Sequence, residues 1–181
     1  MYQFKMGYSS ESIYQYGGQD CHEKSLIIAK ALNSKPAAVA LVSDANFYDA
    51  LTAAPFLAAL SQPILLVSPA GLNAEQKQYL DESQSMSSTV YEFGEITGTA
   101  AGKSIKNTYA NVYARHPWLM NSYTLSTYWA HTQVEIPSPV VYLATGEDYP
   151  DALAGAVLAS YAFQGYQPGF ILLTKPDELP A

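Results

Sequence analysis

The sequence is short of charge, almost without cysteine and free of long apolar runs, and each shortage closes off a class of function. Asp, Glu, Lys and Arg make up only 14 % of its 181 residues, well below the usual ~25 %. Sixteen acidic residues outnumber nine Lys and Arg, for a net charge of −7, and no basic run occurs anywhere. Nucleic-acid affinity rests on neutralising phosphates with cations, so no nucleic-acid partner is expected, nor a polybasic membrane-surface site. Cys21 is the single cysteine, which excludes an internal disulfide and a structural zinc site of the cysteine type. No stretch reaches the ~18 apolar residues of a membrane span. The opening "MYQFKMGYSSESIYQYGG" lacks a basic region followed by an apolar core, so no signal peptide is seen; an exported protein would carry this chain as a mature or excised piece. There is no Gly-x-Ser-x-Gly elbow and no Asp-x-Asp pair, and His22, His116 and His131 are too scattered for a metal pattern. No cofactor is expected.

What is there is a pattern written twice. Residues 39–72 read "VALVSDANFYDALTAAPFLAALSQPILLVSPAGL", and 141–179 read "VYLATGEDYPDALAGAVLASYAFQGYQPGFILLTKPDEL". Asp49-Ala50-Leu51 recurs as Asp151-Ala152-Leu153, and Ile64-Leu65-Leu66 as Ile171-Leu172-Leu173 after a short insertion. Each copy runs from a buried strand through a polar turn into an Ala-rich helix, then to a second apolar strand ending near a proline. Strands that are apolar throughout and alternate with helices argue for a parallel sheet covered on both faces. Hydrophobic residues at 49 % are enough for a substantial core, and fifteen tyrosines beside Ser and Ala suit an uncharged, secreted surface.

The same reading places helices over 20–32, 73–83 and 102–113 and a strand over 89–93. Three segments result: an N-terminal stretch 1–17, a first unit 18–113, and a connecting helix with half of a second unit over 114–181.

The segments "NFYDALTAAPFLAALSQPILLV" and "EDYPDALAGAVLAS…GFILLT" resemble the cell-wall-binding type 2 repeats of Gram-positive surface proteins. That family opens on Gly-x-Asp-Arg-Tyr-Glu-Thr-Ala. Here "GGQDCHEKS" keeps Gly18, Asp20 and Glu23 and departs at Cys21, His22, Lys24 and Ser25; the second unit shows no such opening. The resemblance implies a Toprim-like α/β sandwich unit, used in tandem and packed against neighbouring units or further copies. It implies a non-catalytic role at the cell surface, holding a secreted protein to an anionic secondary cell-wall polymer. Cys21 stands where the family has an arginine suited to an anionic ligand.

Candidate sites are few. Asp49 and Asp151 could serve as bases or metal ligands, but without an Asp-x-Asp partner the helix-start role is favoured. Adjacent residues of a helix do not share a face, so Cys21 and His22 are expected to point apart. Trp118, Trp129, Tyr123 and Tyr128 could stack on sugars, though such aromatics more often fill cores. "TGTAAGKS" (97–104) invites a phosphate-loop reading and hence a nucleotide enzyme using residues 94–104. It spaces its glycines one residue too closely for that motif and reads as helix entry. For an anionic polymer, the loops 44–48 and 145–150 at the strands' carboxyl ends are favoured, with Lys24, Lys103, Lys106 and Arg115 as cations.

Overall fold

In the computed structural model, residues 16–84, 88–114, 123, 124, 126, 127, 140–160, 169–175 and 177 are described. The first unit is built from α1 (Cys21–Leu32), β1 (Ala38–Ser43), α2 (Tyr48–Ala59), β2 (Ile64–Val67), α3 (Ala74–Gln84), β3 (Thr89–Phe93), a 3-10 turn (Gly94–Gly98), α4 (Ala100–Thr108) and β4 (Val112–Ala114). The second contributes β5 (Val141–Thr145), α5 (Pro150–Ser160) and β6 (Phe170–Thr174).

All strand pairs are parallel. The first sheet has the order β2-β1-β3-β4 and the second pairs β5 with β6. Ala40 lies opposite Ile64, Val39 opposite Val90, and Val141 opposite Phe170. Every residue of β1 is buried, as its unbroken apolarity requires of a central parallel strand. Val39 and Leu41 point into one layer with Leu26, Tyr79, Leu80, Val90, Ile96 and Ile105, contributed by α1, α3, β3, the 3-10 turn and α4. Ala40 and Val42 point into the other, with Ala53 and Leu57 of α2 and Phe93. The α/β class and parallel sheet are therefore as the repeat implied.

Helix α2 has two packing partners. Ala53 and Leu57 face the first sheet, while Leu51 joins Ala152, Ala156 and Ala159 of α5 and Ile171 and Leu173 of β6 in a third core. Small side chains let α2 and α5 approach closely, which explains why the repeated helix is rich in alanine and weakly amphipathic. The two units meet through the element that is repeated.

One expected helix is shorter than its pattern. It ends at Thr108, Tyr109 turns extended (φ −109°, ψ 138°), and Val112–Ala114 forms β4 on the open edge of β3. Tyr109 and Val112 still reach the first core, so the apolar positions were read correctly and the period was not. Pairing with β3 satisfies the backbone groups of Val112–Ala114 and those along the edge of β3 at once, which a longer helix would leave open.

Candidate functional site

Because each helix packs antiparallel to its strand, helix starts gather at the carboxyl ends of β1, β2 and β3. The sequence caps these starts locally. Asp20 accepts the Glu23 N–H (2.8 Å) ahead of α1, and the Glu23 carboxylate accepts the N–H of Gln19, one residue before the cap, a box shifted by one position from the reciprocal form. Asn73 and Gln76 form a second box before α3: Asn73 Oδ1 accepts from Gln76 N (2.8 Å) and Gln76 Oε1 from Asn73 N (3.2 Å). Gln76 Nε2 also donates to Leu66 O (2.7 Å), tying the cap to β2.

The "GKS" stretch behaves likewise. Thr99 Oγ1 accepts the Gly102 N–H (3.2 Å), and the Lys103 N–H donates to Thr99 O (3.2 Å). The amides that a phosphate loop would turn outward are used to start α4.

Asp49 and Asp151 occupy equivalent places with opposite surroundings. Asp49 is 4 % exposed, and a Cβ on Gly94 would lie 1.6 Å from its Oδ2. The carboxylate thus lies against the backbone where β3 enters the 3-10 turn, at a φ of +65° that favours glycine. Asn46 Oδ1 accepts the Asp49 N–H (3.3 Å) at the start of α2. Asp151 is exposed.

Of the candidate cations, Lys24 and Lys103 are exposed in the first turns of α1 and α4. Lys106 is engaged: its Nζ lies 3.2 Å from Oε2 of Glu92, a fully buried carboxylate in β3. Burial pushes the Glu92 carboxyl above its ordinary value of 4.5, while the Lys106 ammonium opposes that rise. Arg115, Trp118, Tyr128 and Trp129 lie outside the described residues.

Cys21 and His22 do not point apart. Cys21 is the first residue of α1, before the helical period has separated neighbours. Its Sγ, a ring nitrogen of His22 and a carboxylate oxygen of Asp44 all lie within 4.8 Å of one another. His22 Nε2 is 2.8 Å from Asp44 Oδ2 and Nδ1 is 3.8 Å from Asp20 Oδ1. Two open cavities flank the cluster. One of about 350 Å³ is lined by Cys21, Asp44, Asn46, Phe47 and Tyr149, the other of about 280 Å³ by His22, Ser68, Asn73 and Gln76. Asp44, beyond β1, is the member that spacing could not have joined to Cys21 and His22.

The second unit's opening, invisible as a motif, is found through a serine. Ser25 Oγ donates to His22 O (2.9 Å) and accepts the Leu66 N–H (3.1 Å). Ser126 Oγ donates to Tyr123 O (2.7 Å) and accepts the Leu173 N–H (3.0 Å). Leu66 and Leu173 are repeat partners, so Tyr123 and Ser126 stand where His22 and Ser25 do.

Comparison with known proteins agrees with this arrangement. Residues 15–101 match the family described as Cell wall binding domain 2 (CWB2). That segment is therefore similar to a CWB2 unit. The chain is 28 % identical over 170 residues to N-acetylmuramoyl-L-alanine amidase LytC of Bacillus subtilis (strain 168), a match over 93 % of this chain and 31 % of LytC. Two solved structures share the fold: Cwp6 from Clostridium difficile (TM-score 0.68, 19 % identity, 95 % of this chain and 28 % of that one) and Cwp8 from the same organism (0.63, 20 %, 88 % and 26 %). The chain spans less than a third of each of these proteins. The CWB2 match covers α1 to the start of α4, and with them β1, β2 and β3 of the first sheet, and the structural matches carry the fold on through the second unit.

Proposed function

We propose that this chain is a non-catalytic module that holds a secreted protein to the outside of a bacterial cell by binding an anionic polymer of the wall. The observation that carries this reading is the CWB2 match over residues 15–101. The geometry is compatible with it: helix starts and the exposed Lys24 and Lys103 share the carboxyl edge of the sheet, where ligands of parallel α/β folds collect. The overall negative charge makes a local grouping of cations necessary. The alternative of a nucleotide enzyme using residues 94–104 draws no support from a turn whose Gly102 and Lys103 amides serve Thr99.

The test is co-sedimentation with purified Gram-positive walls before and after extraction of their anionic polymers. Pelleting of the chain is expected with intact walls and is expected to fall at least fivefold with extracted ones. Lys24→Ala with Lys103→Ala should weaken pelleting and make it less sensitive to salt. Equal pelleting with extracted walls would sink the polymer reading.

A further inference from the structure

We propose that Cys21, His22 and Asp44 form a binding site for a divalent transition metal ion of the zinc type. A thiol, an imidazole and a carboxylate are the three side chains that borderline ions such as Zn²⁺ and Co²⁺ take as ligands. Their ligand atoms already lie within 4.8 Å of one another. Ligands held at about 2.0–2.3 Å from one ion stand at such separations after small rotamer changes. The His22 ring is also held from its other side. With Nε2 directed at Asp44 (2.8 Å), Nδ1 faces the Asp20 carboxylate at 3.8 Å, beyond hydrogen-bond reach but near enough for a small ring rotation to make the second contact that orients metal-binding imidazoles. Asp20 is fixed in turn by capping α1. Cys21 is exposed and His22 and Asp44 are partly so, which leaves an ion a way in and a coordination position open to water or an anionic oxygen.

The second unit shows what these positions do when they only pack. The serine and Asp-Ala-Leu correspondences match His22 to Tyr123 and Asp44 to Gly146. There the tyrosine ring lies directly over the glycine, 2.4 Å from where a Cβ would stand. In the first unit the same contact is made by an imidazole and a carboxylate, with a thiol beside them. Packing alone does not call for that trio of side chains.

Binding removes the thiol proton, and the thiolate then gives a bound cobalt ion a charge-transfer absorption in the near ultraviolet. Titration of the tag-free, reduced chain with Co²⁺ is therefore expected to show that absorption saturating at one ion per chain, and to lose it when Zn²⁺ is added. Cys21→Ser should abolish the absorption, and Asp44→Asn should weaken binding at least tenfold. The double variant His22→Tyr, Asp44→Gly installs the second unit's packing pair and should keep its circular dichroism while losing the ion. Lys30→Ala, an exposed position in the last turn of α1, should bind as the parent does. Absence of a saturable thiolate absorption, its survival in Cys21→Ser, or undiminished binding by the folded double variant would each overturn the site.

Discussion

At the scale of single residues, the repeated aspartate shows how one letter acquires two meanings. Asp49 is buried against Gly94, whose φ of +65° and missing Cβ make room for the carboxylate. Asp151 is exposed. Replacing Gly94 with Ala therefore imposes both backbone strain and a collision, and is expected to cost at least ~3 kcal/mol in urea unfolding. Asp49→Ala should cost ~2–4 kcal/mol by emptying a buried polar contact, whereas Asp151→Ala should stay within ~0.5 kcal/mol. Equal effects of the two aspartate changes would refute this account. The sequence showed that both aspartates open a helix. That only one of them meets a glycine turn depended on β3, which lies 40 residues further on.

At the scale of elements, β3 and α4 are joined by the pair Glu92–Lys106. Burial raises the Glu92 carboxyl above its ordinary 4.5, so the folded chain holds that proton more tightly than the unfolded chain does. Its contribution to stability is then greatest below the unfolded value and is lost as pH rises through the raised one. At neutral pH, Lys106 offsets the cost of the buried charge. Lys106→Met removes that offset and is expected to lower stability by ~1–3 kcal/mol at pH 7, less than for a fully buried pair because the ammonium is partly screened by solvent. The deficit should shrink as pH falls towards 4.5, because a protonated Glu92 no longer needs the ammonium. Urea unfolding of parent and variant at several pH values reads this directly, and a deficit independent of pH would count against it. Sequence spacing put Lys106 among the cations for a ligand, since nothing local reveals that a strand residue beneath it is charged. Strand β4 was missed for a related reason: three residues are too few to show a period, and only the free edge of β3 makes them a strand.

At the scale of the molecule, the two units are unequally covered. Val39 and Leu41 are 0 % exposed, while their repeat partners Val141 and Leu143 are 48 % and 61 % exposed. In the first unit that face of the sheet is covered by α1, α3 and α4. Apolar surface exposed in this way favours self-association as concentration rises. Light scattering is expected to give a mass rising with concentration above that of one 19.7 kDa chain. Val141→Lys with Leu143→Lys should hold the mass at one chain, and a parent that stays monomeric throughout would end the idea. The sequence alone determined the parallel α/β class, the tandem repeat and the helix starts, because apolar patterns, alanine faces and capping residues act over a few positions. Tertiary structure decided what those positions meet. It buried Asp49 but not Asp151, turned Lys106 from a candidate ligand contact into a partner of Glu92, and brought Asp44 to Cys21 and His22. Charges, imidazoles and thiols take their chemistry from neighbours within a few ångströms, and in a parallel sheet those neighbours come from crossovers tens of residues apart.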